Sequence, residues 1–121
     1  MLFRSAFSLQ HNLETAAHAG AIADHLMAVG GSANSLLWTQ IKSDITGKPI
    51  SVPLADNATT LGAAILAGVG IGMYESFEQA VAETVKITRI HQPDPEKLSL
   101  YQQAYRVYLE LSERLRGMCQ Q

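Results

Sequence analysis

A single cysteine, Cys119, occurs in the chain, so no internal disulfide can form. The cross-linked framework of small secreted domains is thereby excluded, and a reducing compartment is expected. Cys119 reads as an inert tail residue, because a reactive thiol needs a recognisable electropositive setting. No apolar run is long enough to cross a bilayer. The opening Met1-Leu2-Phe3-Arg4 is too short and too polar for a secretory signal. Charge is scarce: 17% of residues carry it and the formal net charge is −2, with no basic patch. That argues against nucleic acid and against an anionic membrane as partners. Internal repeats and low-complexity segments are also lacking. With 47% hydrophobic residues over 121 positions, the expectation is a soluble cytoplasmic chain of one domain at most.

What is present centres on Val29-Gly30-Gly31-Ser32-Ala33-Asn34-Ser35. This stretch joins an apolar run, Leu26 to Val29, to an amphipathic segment that carries the only tryptophan, Trp38. It reads as strand, glycine turn, helix, with Val29 ending the strand and the helix beginning within Ser32–Leu36. Two residues without Cβ let a flat ring or a phosphate approach the backbone. The following helix points free N–H groups and a positive dipole end at the same place. In the helix, Leu37, Trp38, Ile41 and Ile45 share a face, with Thr39, Gln40, Lys42 and Ser43 opposite. Gly47 and Pro49 end it.

The rest of the chain supplies architecture. Leu2, Ala6, Leu9, Leu13 and Ala16 form a helical stripe that ends near Gly20. Ile50-Ser51-Val52 reads as a short strand, and an almost wholly apolar helix starts near Asn57. Ser76-Phe77-Glu78-Gln79 fits a capping box for a helix from about Ser76 to Val85. Lys86 to His91 alternates polar and apolar, as a short edge strand or an extended segment. Asp94 and Pro95 open a last helix with Leu98, Tyr101, Tyr105, Tyr108, Leu111 and Leu115 at helical spacing. The order predicts an α/β fold with several helices and a small, mostly parallel sheet.

The glycine turn, the Trp38-Thr39-Gln40-Ile41 that follows and Asp44-Ile45-Thr46-Gly47-Lys48-Pro49-Ile50 together resemble the carboxy-terminal domain of FGGY-family carbohydrate kinases. In that family an acidic residue and Ala-Leu-Gly-Ala-Ala come next; here they are Asn57 and Thr60-Leu61-Gly62-Ala63-Ala64. The tail from Pro93-Asp94-Pro95-Glu96 is similar as well. The resemblance implies part of an actin-like ATPase (ribonuclease H-like) domain. Residues 1–121 would be the carboxy-terminal part of the nucleotide-binding domain, without the amino-terminal sugar-binding domain. It implies ATP and Mg²⁺ as cofactors of an intact enzyme that transfers the γ-phosphoryl group to a sugar hydroxyl, a pentulose such as xylulose being the first guess. The family's Asp-x-Gly-Thr phosphate loop and its catalytic aspartate are not in this sequence, so no catalytic residue is assigned here and the isolated chain is expected to be inactive. Nucleotide contacts are expected at Gly30, Gly31, Ser32, Asn34, Ser35, Asn57 and Gly62. One of the short polar side chains would also cap the helix. Asn57 brings an amide where many relatives bring a charge. The alternative is a noncatalytic packing or interaction module whose glycine turn is purely structural.

Other features have plainer readings beside the sharper ones. His11, His18 and His25 recur every seven residues. On a helix the first two are ~10 Å apart along the axis, too far for one ion to bridge, and no metal site is expected. The tyrosine series reads as a packed face rather than a stacking platform, and Gly68, Gly70 and Gly72 as close packing. Asp24, Asp44 and Asp56 could in principle act as bases, but Asp44, on the helix after the glycine turn, reads as a solvated or sheet-edge group. The stripe from Leu2 to Leu13 and the apolar Ile65–Met73 segment are expected to be exposed and to drive self-association.

Overall fold

Ala21 N–H donates to the Ala16 carbonyl and Gly20 N–H to that of Ala17, closing the first helix in a Schellman motif with Gly20 at φ 91°. That helix, α1, is Leu2–His18. The computed structural model describes residues 2–54 and 57–118. Ala55, Asp56 and Cys119 lie outside the described residues, so the readings of Asp56 and Cys119 stay as stated.

After α1 come β1 (Leu26–Met27), a 3-10 turn (Gly31–Asn34), α2 (Leu36–Thr46), β2 (Ile50–Pro53), α3 (Ala58–Gly70), α4 (Phe77–Thr84), β3 (Ile87–His91) and α5 (Pro95–Met118). The caps are those the sequence predicts. Gly47 ends α2 at φ 63°. Ser76 Oγ accepts from the Gln79 N–H at 3.2 Å, while Gln79 Oε1 accepts from the Glu75 N–H at 2.8 Å. The reciprocal bond of the capping box thus falls one residue earlier than in the standard motif. Asp94 Oδ1 accepts from the Glu96 N–H at 3.0 Å, and Pro95 opens α5.

The sheet has three strands in the order β1-β2-β3. β1 and β2 are parallel, pairing Leu26 with Ile50 and Met27 with Ser51. β3 is an edge strand, as expected, but it runs antiparallel to β2, pairing His91 with Ile50 and Arg89 with Val52. The sheet is therefore mixed rather than mostly parallel. A single helix between neighbouring strands returns the chain in the same direction. α2 does this between β1 and β2. Two helices, α3 and α4, intervene before β3, and the additional reversal brings it in the other way. The register shifts at Val52/Pro53, where a residue with no N–H is best tolerated.

The core lies on both sides of α2. Ala6 and Phe7 of α1, Ile41 and Ile45 of α2, and Tyr105 of α5 form one cluster, with Trp38, Tyr101 and Tyr108 against it. Ala28, Ala33, Ile50 and Val52 form the other. Two sequence expectations change here. Thr39 and Ser43, placed on a polar face, are 0% exposed, and Leu37 is 67% exposed. The helix is covered by the sheet as well as by α1 and α5, so its hydroxyls turn inward. There they donate to backbone carbonyls: Thr39 to Ala33 at 3.3 Å, and Ser43, sharing its one proton, to Lys48 at 2.8 Å and His91 at 3.1 Å. Second, within the α1 stripe Ala6 is buried and Leu9 and Leu13 are half-buried, whereas Leu66, Ile71 and Met73 are exposed.

The tyrosines pack as expected. Phe7 lies 5.9 Å from Tyr105 and 5.8 Å from Tyr108 between ring centroids. The Tyr105 hydroxyl donates to Glu14 Oε2 at 2.6 Å. Burial, followed by that carboxylate, holds the phenol protonated well above its ordinary range. A Cβ on Gly68 would meet the Tyr74 ring at 2.8 Å, so this glycine is kept for close packing.

Candidate functional site

Because β1 and β2 are parallel, the segments that follow them leave the same edge of the sheet. This is the edge at which open α/β sheets receive ligands. After β1 the chain turns away at once. The strand ends at Met27, two residues before the expected Val29, since only Leu26 and Met27 have partners on β2. Ala28 still donates its N–H to the Ser51 carbonyl at 2.9 Å. Gly30 then takes φ 81°, ψ 176°, a conformation closed to residues with a Cβ. The Ala33 N–H closes the turn on the Gly30 carbonyl at 2.9 Å. α2 starts at Leu36, within the expected window.

Among the seven candidate residues, the structure separates three situations. Ser35 is the helix cap, its Oγ accepting from the Trp38 N–H at 3.2 Å. Ser32 and Asn34 are exposed on the turn. Gly30 supplies the positive φ, and Gly31 does not need one. Gly31 instead supplies room: a Cβ there would have no heavy atom within 4 Å. On the second segment, Asn57 occupies the cap position of α3 without a side-chain capping bond. Gly62 sits in the second turn of α3. Together with Met27, Val29, Pro53 and Ile65 it lines an apolar groove of about 120 Å³. The groove joins the end of β1 to α3, and of the seven candidate residues Gly62 is the one that lines it.

Beneath the glycine turn lies a polar network that sequence reading missed. Arg89 Nη2 donates to the Ala33 carbonyl, and Arg89 Nε donates to His91 Nε2 at 3.3 Å. Since Nε2 accepts, the neutral ring carries its proton on Nδ1, which meets Gln40 Oε1 at 2.9 Å. Gln40 Nε2 donates to Asp44 Oδ1 and to the Gln92 carbonyl, both at 2.7 Å. Asp44, 2% exposed, also accepts from the Asp94 N–H at 3.0 Å. It is thus neither solvated nor an exposed sheet-edge group, but an anchor between α2 and the start of α5. The alternation in β3 was the available signal, for it places Arg89 and His91 on one face of the strand.

Burial, then the nearby Arg89 cation, lowers the His91 pKa below its ordinary value. The unfolded chain therefore takes up this proton first as pH falls through about 6.5. Stability should fall over the window from there down to the folded-state value. Denaturation midpoints measured at several pH values should slope less steeply below pH ~6.5 in His91→Asn than in the parent. Identical slopes would show that His91 is not buried as a neutral ring.

No group of three or more His, Cys, Asp or Glu among the described residues is placed to hold a metal ion. His25 meets Ser51 Oγ at 2.8 Å.

Comparison with known proteins bears on the family and the fold. Residues 2–71 match the FGGY family of carbohydrate kinases, C-terminal domain. That span contains every candidate contact residue, while Arg89 and His91 lie beyond it. An autoinducer-2 kinase from Salmonella paratyphi B is 43% identical over 100 residues, 83% of this chain and 18% of the relative. Among solved structures, a xylulose kinase from Rhodospirillum rubrum superposes with a TM-score of 0.85 over 99% of this chain and 24% of its own, at 23% identity. A second such kinase, from Brucella ovis, has a TM-score of 0.85 over 97% of this chain and 24% of its own, at 28% identity. The chain thus spans about a fifth of the length of the curated relatives it matches, and its fold is that of the actin-like sugar kinases. With its glycine turn, its Trp38-containing helix and its α3 all inside the matched span, the chain belongs to the FGGY family of carbohydrate kinases, in that family's C-terminal domain.

Proposed function

We propose that this chain supplies the adenosine side of an ATP site in a sugar kinase, the intact enzyme moving the γ-phosphoryl group to a hydroxyl of its acceptor. The observation that carries the reading is the open space over Gly31 at the edge shared by two parallel strands. In this reading an adenine ring would lie against the backbone there, in space that a Cβ would otherwise occupy. Ser32 and Asn34 would meet the polar edges of base or ribose, and Asn57 and Gly62 would close the far side. Ser35 is committed to its cap.

Phosphoryl transfer depends on positioning, on charge neutralisation by Mg²⁺ and on a carboxylate that accepts the hydroxyl proton. The described residues offer no suitable cluster for the ion, so we assign Mg²⁺, phosphate loop and base to the remainder of the enzyme. The sugar would likewise be bound mainly there, by an amino-terminal domain across the cleft. The isolated chain is therefore inactive in this reading. Its exposed Leu66, Ile71 and Met73 would seat against that remainder, or against a second copy in its absence.

For the acceptor, 43% identity to an autoinducer-2 kinase favours autoinducer-2. The 28% identity to a xylulose kinase structure keeps xylulose as the second candidate. The noncatalytic reading has one observation on its side: Ser35 and Gly30 already have structural duties.

The two readings separate on Gly31→Val. In the nucleotide-free protein the added Cβ meets no heavy atom within 4 Å, and the change strains no positive φ. In the full-length kinase it should raise the KM for ATP roughly tenfold or more, the size of a modest steric displacement. The KM of the sugar acceptor should change little. Trp38→Phe, a packing change, should cost stability and leave the ATP constant near normal. An unchanged KM for ATP in a folded Gly31→Val enzyme would withdraw Gly30, Gly31 and Ser32 as nucleotide contacts.

A further inference from the structure

The glycine turn has little local support. It is a single 3-10 turn, and Gly30 at its start has no side chain with which to cap it. Short 3-10 segments of this kind fray readily when isolated. Yet Ala33, within it, is 3% exposed. Its carbonyl accepts twice, from Thr39 Oγ1 at 3.3 Å and from Arg89 Nη2. Arg89 lies 56 residues further along the chain, on the edge strand.

We infer that Arg89 is a positioning residue for the glycine turn, its guanidinium clamping the Ala33 carbonyl so that Gly30 and Gly31 keep an open approach. The inference rests on the reading that this turn faces the nucleotide. A guanidinium is a rigid fork, able to serve two acceptors at once in one plane. Here one prong reaches the turn while Nε holds His91 Nε2. His91 is set by Gln40, and Gln40 by Asp44, which also receives the first N–H of the α5 cap. The turn is thereby braced against α2 and the start of α5 rather than by its own sequence. A lysine could not reproduce this, because one ammonium cannot bridge both acceptors in that geometry.

The test compares Arg89→Met and Arg89→Lys with the parent, by amide hydrogen exchange on this chain. The probe is the Ala33 N–H, and Ile45 in α2 is the reference for global opening. Removing a charge-assisted bond should speed exchange at Ala33 about tenfold relative to Ile45. Unchanged exchange at Ala33, or equal acceleration at both amides, would overturn the inference. In the full-length kinase, Arg89→Met should raise the KM for ATP about tenfold while the acceptor KM and kcat stay within roughly twofold. Local acceleration at Ala33 with an unmoved KM for ATP would leave the clamp standing and remove the nucleotide reading instead. Should Arg89→Met not fold, Arg89→Lys, which keeps charge and stem but not the fork, carries the same test. Acceleration at Ala33 then supports the clamp, and its absence overturns it.

Discussion

Phe7→Ala should lower the unfolding free energy by about 3–5 kcal/mol, the range for truncating a buried aromatic side chain. Phe7 is 8% exposed and stands where α1, α2 and α5 meet. Its ring touches Tyr105 and Tyr108, with centroids within 5.9 Å and 5.8 Å. Removing it opens a void between three helices whose other contacts cannot close without moving α5. A chain of this size has a total stability of only about 5–15 kcal/mol. The loss should therefore appear as a fall of roughly 10 °C or more in Tm. Phe7→Leu should cost far less, because most of the volume remains. Leu100→Ala is the surface control. Its side chain is 63% exposed, and the change should stay within about 0.5 kcal/mol. A loss below about 1 kcal/mol for Phe7→Ala would mean that the α1–α5 seam collapses freely and is not a packed core.

Asp44→Ala should cost about 3 kcal/mol, again read from chemical denaturation. The carboxylate is buried and accepts from Gln40 Nε2 at 2.7 Å and from the Asp94 N–H at 3.0 Å. Lys97 Nζ stands 3.9 Å from its other oxygen, but that amine is half exposed and contributes little. Alanine removes both accepted bonds and leaves the Asp94 N–H, half-buried at the opening of α5, without its partner. It also frees Gln40, the residue that orients His91. Asp44→Asn keeps the shape and one acceptor oxygen, and should cost less than half as much. Equal and small losses in both variants would show that the anchor is dispensable and that packing alone holds α5 in place.

These two sites contrast in how they were legible. The aromatic stripe of α5 was visible, because helical spacing alone places Tyr101, Tyr105 and Tyr108 on one face. Its partner Phe7 was not named, since the α1 stripe was read through Leu2, Ala6, Leu9 and Leu13. Asp44 was misjudged as a peripheral group because nothing within a few residues of it reveals a covering element. The candidate site divides the same way. Gly30, Gly31, Ser35, Asn57 and Gly62 stand out locally, by missing Cβ atoms or by cap position. That their two segments leave the same edge of the sheet follows from the parallel pairing of β1 and β2.

The sequence by itself determined what short-range chemistry controls. Ser35, Gly47, Ser76 and Asp94 mark the helix ends, since each cap is a bond between a side chain or a left-handed residue and backbone a few positions away. The order of elements follows from those ends and from periodicity, and the family from the motifs in sequence between them. Tertiary structure alone decided which faces are inside and what braces the turn. Thr39 and Ser43 look polar in sequence and are fully buried, because beyond its exposed first turn this helix is covered by the sheet and by two other helices. β3 runs antiparallel because two helices, not one, precede it. Arg89 reaches Ala33 across 56 residues, and no local rule encodes a bond whose partners meet only after the sheet has closed.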